Sequence, residues 1–287
     1  MRVRVAASSA NLGPGFDCVG LALGLYDTYD LTVTDGGVHV SVVGEGASQV
    51  PRDESHLVVA SIRHGLDEWG VAMPGIALSC HNAIPHSRGL GSSAAAIVGG
   101  LALAWGIAFP DRGLDRGELL RLSSLMEGHP DNAGAAVYGG ALLAWTIDGV
   151  TDMVTLDVSS DIAFRVYVPD FETPTAGARK VLPDDVPRAD AVVQAARAAL
   201  LMHALTTSPG RLLVATQDRL HQDYRAGLMR PAHDLMQFLR SEGVPAVISG
   251  AGPCVLALGT PSQLAPAGPA EGFRVLDLPV GDAVSFR

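Results

Sequence analysis

Alternation of apolar and polar residues predicts strands in both halves of the chain. The first five residues alternate, and the segments 29–34 and 38–43 flank the turn Asp35-Gly36-Gly37, a pattern that predicts a β-hairpin. Further strands are predicted at residues 76–81, 141–147, 153–158, 164–168, 246–248, 254–258 and 273–278. The chain therefore contains enough strand segments for more than one sheet.

Helical spacing of apolar residues alternates with these strands. Ser55 is expected to cap a helix that carries Leu57, Val58, Ile62, Leu66 and Trp69 on one side. Further helices are predicted from about Ser92 and at residues 118–126, 189–206, 209–218 and 232–240, with a loop at 128–132. Hairpins mixed with crossovers predict an α+β fold of packed layers rather than one doubly wound parallel sheet. A boundary near residue 150 divides the chain into regions 1–150 and 151–287.

One uncharged stretch, residues 89–110, is long enough to span a bilayer, with Arg88 and Arg112 at its edges. Its composition favours another interpretation, because Gly, Ala and Ser dominate and Gly89-Leu90-Gly91 reads as a loop. We therefore predict a fully buried helix and no membrane partner.

The overall composition narrows the classes of function. Of 287 residues 48% are hydrophobic and 17% are charged, which predicts a folded core. The net charge of −10 argues against a general nucleic-acid binder, which needs basic surface. Lys180 is the only lysine, so a phosphate site must be built from glycine loops, helix ends and arginine. Three scattered cysteines predict a reducing, cytoplasmic location rather than a zinc site or disulfide.

A glycine-rich loop between a predicted strand and a predicted helix has the chemistry of a phosphate site. Its residues are Pro85, His86, Ser87, Arg88, Gly89, Leu90, Gly91, Ser92, Ser93, Ala94 and Ala95. Glycines allow the backbone to approach phosphate oxygens, and the first N–H groups of a helix attract anions. Ser92 and Ser93 can cap the helix and offer hydroxyls to phosphate or Mg²⁺.

Other glycine loops fit this segment less well. A Walker P-loop needs a lysine that is missing here. The Rossmann pattern Gly89-x-Gly91-x-x-Ala94 lacks its second strand, because residues 113–127 read as helix. A plain structural glycine turn ahead of a buried helix is the remaining alternative.

The loop resembles the phosphate-binding motif of the GHMP kinases, which is Pro, three residues and then Gly-Leu-Gly-Ser-Ser-Ala. Two further motifs in the expected order strengthen the resemblance: SSANLGPGFD at residues 8–17 and SGAGP at 249–253. Within the superfamily the first motif is similar to that of homoserine kinases. Residues 127–132, 175–179 with 181–183, and 221–225 match that subfamily too.

The resemblance implies a fold and an activity. The fold is a ribosomal-protein-S5-like ATP-binding domain at residues 1–150 followed by a ferredoxin-like α/β sandwich at 151–287. The activity is transfer of a phosphoryl group from ATP, with Mg²⁺, to the hydroxyl of L-homoserine, giving O-phospho-L-homoserine in threonine biosynthesis. We further expect a cytoplasmic homodimer. The alternatives are a kinase of another small alcohol such as mevalonate, and a non-catalytic sensor of ATP or an amino acid.

The same resemblance assigns residues to roles. Arg179 and Arg225 suit the substrate carboxylate, and Asp17 suits its ammonium group. The full substrate-binding set is Asn11, Asp17, His129, Asp131, Thr175, Arg179 and Arg225. The ATP site is the loop 85–95, and Ser249, Gly250, Ala251 and Gly252 are expected to support it. The expected metal ligands are Glu127 with Ser92 or Ser93.

The proton acceptor is the open question in the chemistry. Asp131, Asn132 and Glu127 are the candidate catalytic residues, and Asp131 is the nearest candidate for a general base. Since phosphoryl transfer depends mostly on positioning and electrostatics, we expect the hydroxyl proton to pass to phosphate or solvent instead.

Overall fold

The computed structural model describes residues 1–172 and 175–287, and it describes the backbone but not the side chains of Thr175 and Ala176. The strands are β1 (Arg2–Asn11), β2 (Gly15–Thr34), β3 (Val38–Gly44), β4 (Gly75–Asn82), β5 (Ala141–Ile147), β6 (Val150–Leu156), β7 (Ala163–Pro169), β8 (Ala246–Ile248), β9 (Val255–Gly259), β10 (Phe273–Leu278) and β11 (Ser285–Phe286). The helices are α1 (Leu57–Glu68), α2 (Ser92–Ala108), α3 (Arg116–Glu127), α4 (Pro130–Tyr138), α5 (Thr175–Lys180), α6 (Arg188–Thr206), α7 (Leu212–Ala215), α8 (Gln222–Arg225), α9 (Arg230–Ser241) and α10 (Pro261–Leu264).

The strands form two sheets. The first has the order β11-β1-β2-β4-β3, and β5 pairs with both β2 and β6. The second is antiparallel with the order β10-β7-β9-β8. Helices pack on these sheets, so the predicted α+β class is confirmed. Strand β6 extends past residue 150 in the first sheet, and the second sheet begins with β7; the division of the chain near residue 150 stays a prediction.

The predicted hairpin at residues 29–43 is wrong, although its turn is present. Strand β4 lies between β2 and β3: Leu78 pairs with Leu31 of β2 in antiparallel register and with Val40 of β3 in parallel register. Helix α1 returns the chain across the sheet, and the N–H of Ile76 donates to the Gly37 carbonyl of the turn. Alternation identifies a strand and its buried face, but it does not identify the neighbouring strand.

Helix α2 is the centre of the core. Nearly all of its residues from Ala94 to Trp105 are buried, which confirms the prediction of a buried helix. Gly100 lies against α1, where a Cβ atom would press on Ser61 and on the Val58 carbonyl. Among the described residues, no single helix is both long enough and apolar enough to cross a bilayer.

Several predicted helix boundaries differ from the structure. The N-cap of α1 is His56, whose ring accepts the Val58 N–H, because Ser55 bonds to Asp53 instead. The N-cap of α2 is Gly91 with φ 69°, so neither loop serine caps that helix. The predicted loop at 128–132 is short, since α4 already begins at Pro130. The predicted helix at 209–218 is a 3₁₀ turn at Pro209–Arg211 followed by α7 alone.

Candidate active site

One cleft brings the three sequence motifs together. It has a volume of about 300 Å³ and lies at the N-terminal end of α2. The lining residues are Ala10, Asn11, Asp17, Ser87, Gly89, Gly91, Ser92, Ser93, Met126, Glu127, His129, Asp131, Asn132, Arg179, Arg225, Gly250 and Ala251. Residues from distant parts of the chain thus converge on one space that combines backbone N–H groups, carboxylates and guanidinium groups.

The glycine-rich loop forms one wall of this cleft. Gly89 and Gly91 have φ of 77° and 69°, a region that residues with a side chain rarely adopt. The first helical bond to Gly91 comes from Ala95, so the N–H groups of residues 92–94 have no helical partner, as in helix N-termini that bind anions. Ser92 and Ser93 do not cap α2, and both line the cleft. The loop has the geometry of a phosphate site.

The first and third motifs hold this loop from both sides. The N–H of Ser8 donates to the Leu90 carbonyl (3.0 Å), and the N–H of Cys254 donates to the Arg88 carbonyl (3.1 Å). Ser249 Oγ is 2.6 Å from the Gly89 carbonyl oxygen. A Cβ atom on Gly89 would overlap the Ser249 carbonyl. The close packing that glycine permits therefore sets the position of the loop.

Acidic residues between α3 and α4 form the opposite wall. Asp131 is 1% exposed, and its Oδ1 accepts the Asn132 N–H and lies 2.7 Å from His129 Nδ1. This hydrogen bond to Asp131 raises the pKa of His129. Burial raises the pKa of Glu127, which the nearby Ser93 hydroxyl partly opposes. A cation beside Glu127 would stabilise its charged form.

Two arginines close the remaining side. Arg225 is 2% exposed, and its Nε donates to the Ala178 carbonyl (3.0 Å). Burial, with the nearby charge of Arg179 as a second cause, lowers the pKa of Arg225. Arg179 makes a two-point ion pair with Asp17. Both guanidinium groups lie over the Phe16 ring, with the Cζ of Arg179 5.6 Å and that of Arg225 5.4 Å from its centroid.

Asn11 orders the turn between β1 and β2 in a left-handed conformation with φ 72°. Its Nδ2 donates to the Gly250 carbonyl and its Oδ1 accepts the Asp17 N–H, each at 3.0 Å. The side chain therefore connects the first motif to the third and fixes the backbone at Asp17.

Some predicted residues lie outside the cleft. The Arg88 guanidinium turns away and bonds to the carbonyls of Pro169 and Asp170 and to the Glu172 carboxylate. Pro85, Leu90, Ala94 and Ala95 are buried and act through packing. The side chain of Thr175 lies outside the described residues.

A second pocket, of about 240 Å³, lies on the other side of the glycine-rich loop. It shares Ser87, Ser92 and Ser93 with the cleft. The other lining residues are Asp27, Tyr29, Val50, Pro51, Ser55, His56, Leu57, Val58, Asn82, His86 and Ala96. Except for His86, sequence reasoning missed these residues as site candidates, because they are scattered over strands, turns and helices and form no motif.

Asp27 is the least expected member of the second pocket. Its Oδ1 accepts the N–H groups of Ala83 and Ile84 at 2.7 and 2.9 Å, and its Oδ2 accepts the Tyr29 hydroxyl at 3.1 Å. Burial raises the pKa of Asp27 to about 6 despite these hydrogen bonds. The carboxylate fixes the backbone immediately before the glycine-rich loop. A weak sequence signal is present, because Asp27 alternates with Tyr29 and Leu31 on the buried face of β2.

Comparison with known proteins shows which family the chain belongs to. Residues 56–140 match the family model described as the GHMP kinases N terminal domain. A homoserine kinase of Cutibacterium acnes is 55% identical over 291 residues, covering 100% of this chain and 98% of its own. The chain belongs to the homoserine kinase family. The family member of Mycobacterium tuberculosis is 49% identical, covering 98% of this chain and 92% of its own.

Solved structures place the homoserine kinase family within a wider fold. The crystal structure of a homoserine kinase from Cytophaga hutchinsonii superposes with a TM-score of 0.84 at 25% identity, covering 99% of this chain and 96% of its own. A mevalonate kinase of L. major has a TM-score of 0.67 at 16% identity, covering 98% of this chain and 96% of its own. The chain therefore has the GHMP kinase fold that its motifs predicted.

Proposed function

We propose that the protein transfers the γ-phosphoryl group of ATP to the side-chain hydroxyl of L-homoserine, giving O-phospho-L-homoserine. The observation that carries this proposal is the cleft itself. It places a helix N-terminus and a glycine-rich loop opposite two guanidinium groups and the Asp17 carboxylate. These groups match the charges of a phosphate donor and of an amino acid. The relatives at 55% and 49% identity are named homoserine kinases.

The two pockets on either side of the loop fit one nucleotide. The shared residues Ser87, Ser92 and Ser93 lie where the phosphates pass from one pocket to the other. The second pocket, with apolar Val50, Pro51 and Val58 in its wall, suits the base and sugar. The γ-phosphate then reaches the cleft where the acceptor binds.

The amino acid is held at its two charged groups. Arg225 and Arg179 bind the carboxylate, because a guanidinium offers parallel charge-assisted hydrogen bonds. Asp17 binds the ammonium group, and Asn11 holds the Asp17 backbone in place. This leaves the hydroxyl directed towards the wall formed by His129, Asp131 and Asn132. A neutral sugar or a hydroxy acid without an amino group would leave Asp17 without its ligand, which favours homoserine over other small alcohols.

Mg²⁺ fits the residues that are present. Glu127 and a hydroxyl of Ser92 or Ser93 supply oxygen ligands. Burial raises the pKa of Glu127, so a bound cation would favour its charged form. Within the described part of the chain, groups of three or more His, Cys, Asp or Glu suited to a metal are absent. The protein therefore supplies few of the proposed Mg²⁺ ligands, and phosphates and water supply the others. The ion, when bound, neutralises charge on the phosphates.

The residues around the hydroxyl position the reactants. Asp131 Oδ1 already accepts hydrogen bonds from His129 and from the Asn132 backbone, and Asn132 Oδ1 accepts the Ser8 hydroxyl at 2.9 Å. This network fixes α4 against the loop. We propose that the proton leaves to phosphate or solvent, with Asp131 as a positioning residue. Loss of turnover in Asp131→Asn with unchanged affinity for homoserine would instead make Asp131 the base.

Assembly and location complete the proposal. We propose a homodimer that works in the cytoplasm without a membrane or nucleic-acid partner. Cys18, Cys80 and Cys254 are free thiols, which suits a reducing compartment. Light scattering after size exclusion measures the mass: about twice 29.7 kDa supports the dimer, and 29.7 kDa itself contradicts it.

ADP release by the purified protein with MgATP tests the reaction. L-homoserine, mevalonate, galactose and L-threonine are compared, with Arg225→Lys as the matched variant that keeps the charge but loses the planar fork. Stimulation by homoserine alone, weakened in Arg225→Lys, supports the proposal. Stimulation by another alcohol overturns the substrate assignment. Binding of ATP without turnover for any acceptor identifies a sensor.

A further inference from the structure

His221, immediately before α8, is fully buried between the two ends of the proposed amino-acid site. Its Nε2 lies 2.7 Å from the Gly13 carbonyl oxygen, and its Nδ1 lies 3.2 Å from Nη1 of Arg225. A carbonyl oxygen only accepts hydrogen bonds, and a guanidinium group only donates them. The two neighbours therefore fix one tautomer: Nε2 carries the hydrogen, and Nδ1 presents a lone pair to Arg225.

We propose that His221 is a positioning residue for substrate recognition, which orients Arg225 by accepting its Nη1–H while donating to Gly13. This inference rests on the proposed function, since it assigns Arg225 to the homoserine carboxylate. The remaining bonds of Arg225 go to backbone carbonyls, from Nε to Ala178 and from Nη1 to Gly250 at 3.3 Å. Among the described residues, His221 is thus the one side chain that forms a hydrogen bond with this guanidinium group.

The bond to Gly13 extends the effect to the other end of the substrate. Gly13 belongs to the turn that continues to Phe16 and Asp17, where it adopts a φ of 85°, and its carbonyl is the partner of the imidazole. The His221 ring stacks on Phe16 with 5.1 Å between centroids. One buried side chain therefore couples the arginine that binds the carboxylate to the turn that carries the ammonium ligand.

Charge makes this arrangement depend on the neutral imidazole. Protonation would remove the lone pair at Nδ1 and place a second cation against Arg225. The charged groups that face the ring are Arg225, Asp218 with its Oδ1 3.6 Å from Nε2, and, farther off, Asp17. Asp218 is already engaged by the N–H groups of residues 220–222. Burial outweighs the two carboxylates and lowers the pKa of His221 below its ordinary 6.5.

Two isosteric variants separate the two hydrogen bonds. The Oδ1 of Asn occupies the place of Nδ1, so His221→Asn keeps an acceptor for Arg225 and loses the donor to Gly13. The amide of Gln reaches the place of Nε2, so His221→Gln keeps the donor and loses the acceptor. Since hydrogen bonds to charged groups are the stronger ones, we expect His221→Gln to raise the KM for homoserine by roughly tenfold. We expect His221→Asn to raise it by no more than about threefold.

The KM for ATP is the internal control, because His221 does not line the pockets around the glycine-rich loop. It should stay within about twofold in both variants, whereas a merely structural role would change both KM values together. Equal rises of the homoserine KM in Asn and Gln variants overturn the inference. A wild-type protein that homoserine does not stimulate instead overturns the proposed function, so the two failures are distinguishable.

The pH dependence provides a second measurement, made on the wild-type protein and on His221→Asn. In the wild-type protein the KM for homoserine should rise as the pH falls through the lowered pKa of His221, while the KM for ATP does not follow it. His221→Asn, whose acceptor does not titrate, should lose that rise. A rise of the homoserine KM on acidification that persists unchanged in His221→Asn overturns the inference.

Discussion

Asp17 and Arg179 bind each other through two hydrogen bonds of 2.6 and 2.9 Å at the mouth of the cleft, although each is proposed to bind an opposite end of the substrate. A zwitterionic amino acid presents the same two charges as this pair. Substrate binding can therefore replace the Asp17–Arg179 ion pair with two ion pairs, one at each end of the amino acid. Before the substrate binds, the pair holds both side chains near their binding positions.

Asp17→Asn should separate binding from stability. Both side chains of the pair are partly exposed, at 34% and 42%, so the pair stabilises the fold by less than about 1 kcal/mol. We expect the KM for homoserine to rise about tenfold or more, because the ammonium group loses its charged partner. Steady-state kinetics and urea unfolding measure the two effects. Asp277→Asn, which removes a similar two-point pair with Arg165 outside the cleft, is the control that should leave KM unchanged. A large loss of stability with normal KM in Asp17→Asn would contradict the assignment.

Gly89→Ala should destabilise the protein by more than the backbone strain of a positive φ alone would. Gly89 and Gly70 both have positive φ, 77° and 65°, but only at Gly89 would a Cβ atom overlap another residue, Ser249. Gly70→Ala should therefore cost about 1–2 kcal/mol of stability and leave kinetics unchanged. Gly89→Ala should cost more and raise the KM for ATP. Similar losses of stability and equal KM values for the two variants would show that the contact with Ser249 does not matter.

Glu127→Gln should weaken the metal site without weakening the fold. The raised pKa of Glu127 means that its charged form is less favourable in the folded than in the unfolded protein. We therefore expect the variant, without ATP, to be as stable as the wild type or more stable. The Mg²⁺ concentration for half-maximal rate should rise about tenfold or more. Glu118→Gln, in the first turn of the same helix and bonded to Arg121, should leave the Mg²⁺ requirement unchanged. Destabilisation by Glu127→Gln with a normal Mg²⁺ requirement would indicate a structural carboxylate.

Asp27→Asn should change how stability depends on pH. The pKa of Asp27 rises from 3.8 to about 6 on folding, so the folded state holds this proton more tightly and loses stability as the pH rises between these values. The shift corresponds to about 3 kcal/mol. An Asn Oδ1 can still accept both backbone N–H groups, and the variant avoids the charge. Relative to the wild type, Asp27→Asn should gain stability from pH 4 to pH 7.5, measured by urea unfolding at each pH. A constant difference would show that Asp27 does not titrate on folding.

Much of the site was predictable because its residues form local motifs. The glycines at 89 and 91 are followed directly by the two serines, and the acidic segment 127–132 is a second unbroken stretch. Each motif can therefore be recognised from residues that are neighbours along the chain. The structure brings most of these residues into one cleft. Arg88 shows the limit of this reasoning, since its place in the motif did not reveal that its side chain bonds to the end of β7.

By itself the sequence determined the α+β class, the buried helix α2, the glycine-rich loop and the resemblance to GHMP kinases, because these depend on periodicity and on neighbours along the chain. Only the tertiary structure decided that β4 lies between β2 and β3, that Asp17 pairs with Arg179 across 162 positions, and that His221 contacts both Gly13 and Arg225. Strand order and tautomer depend on which groups meet in space. Burial then shifts the pKa values of Asp27, Glu127 and His221, and no local pattern of residues records how much water a side chain loses.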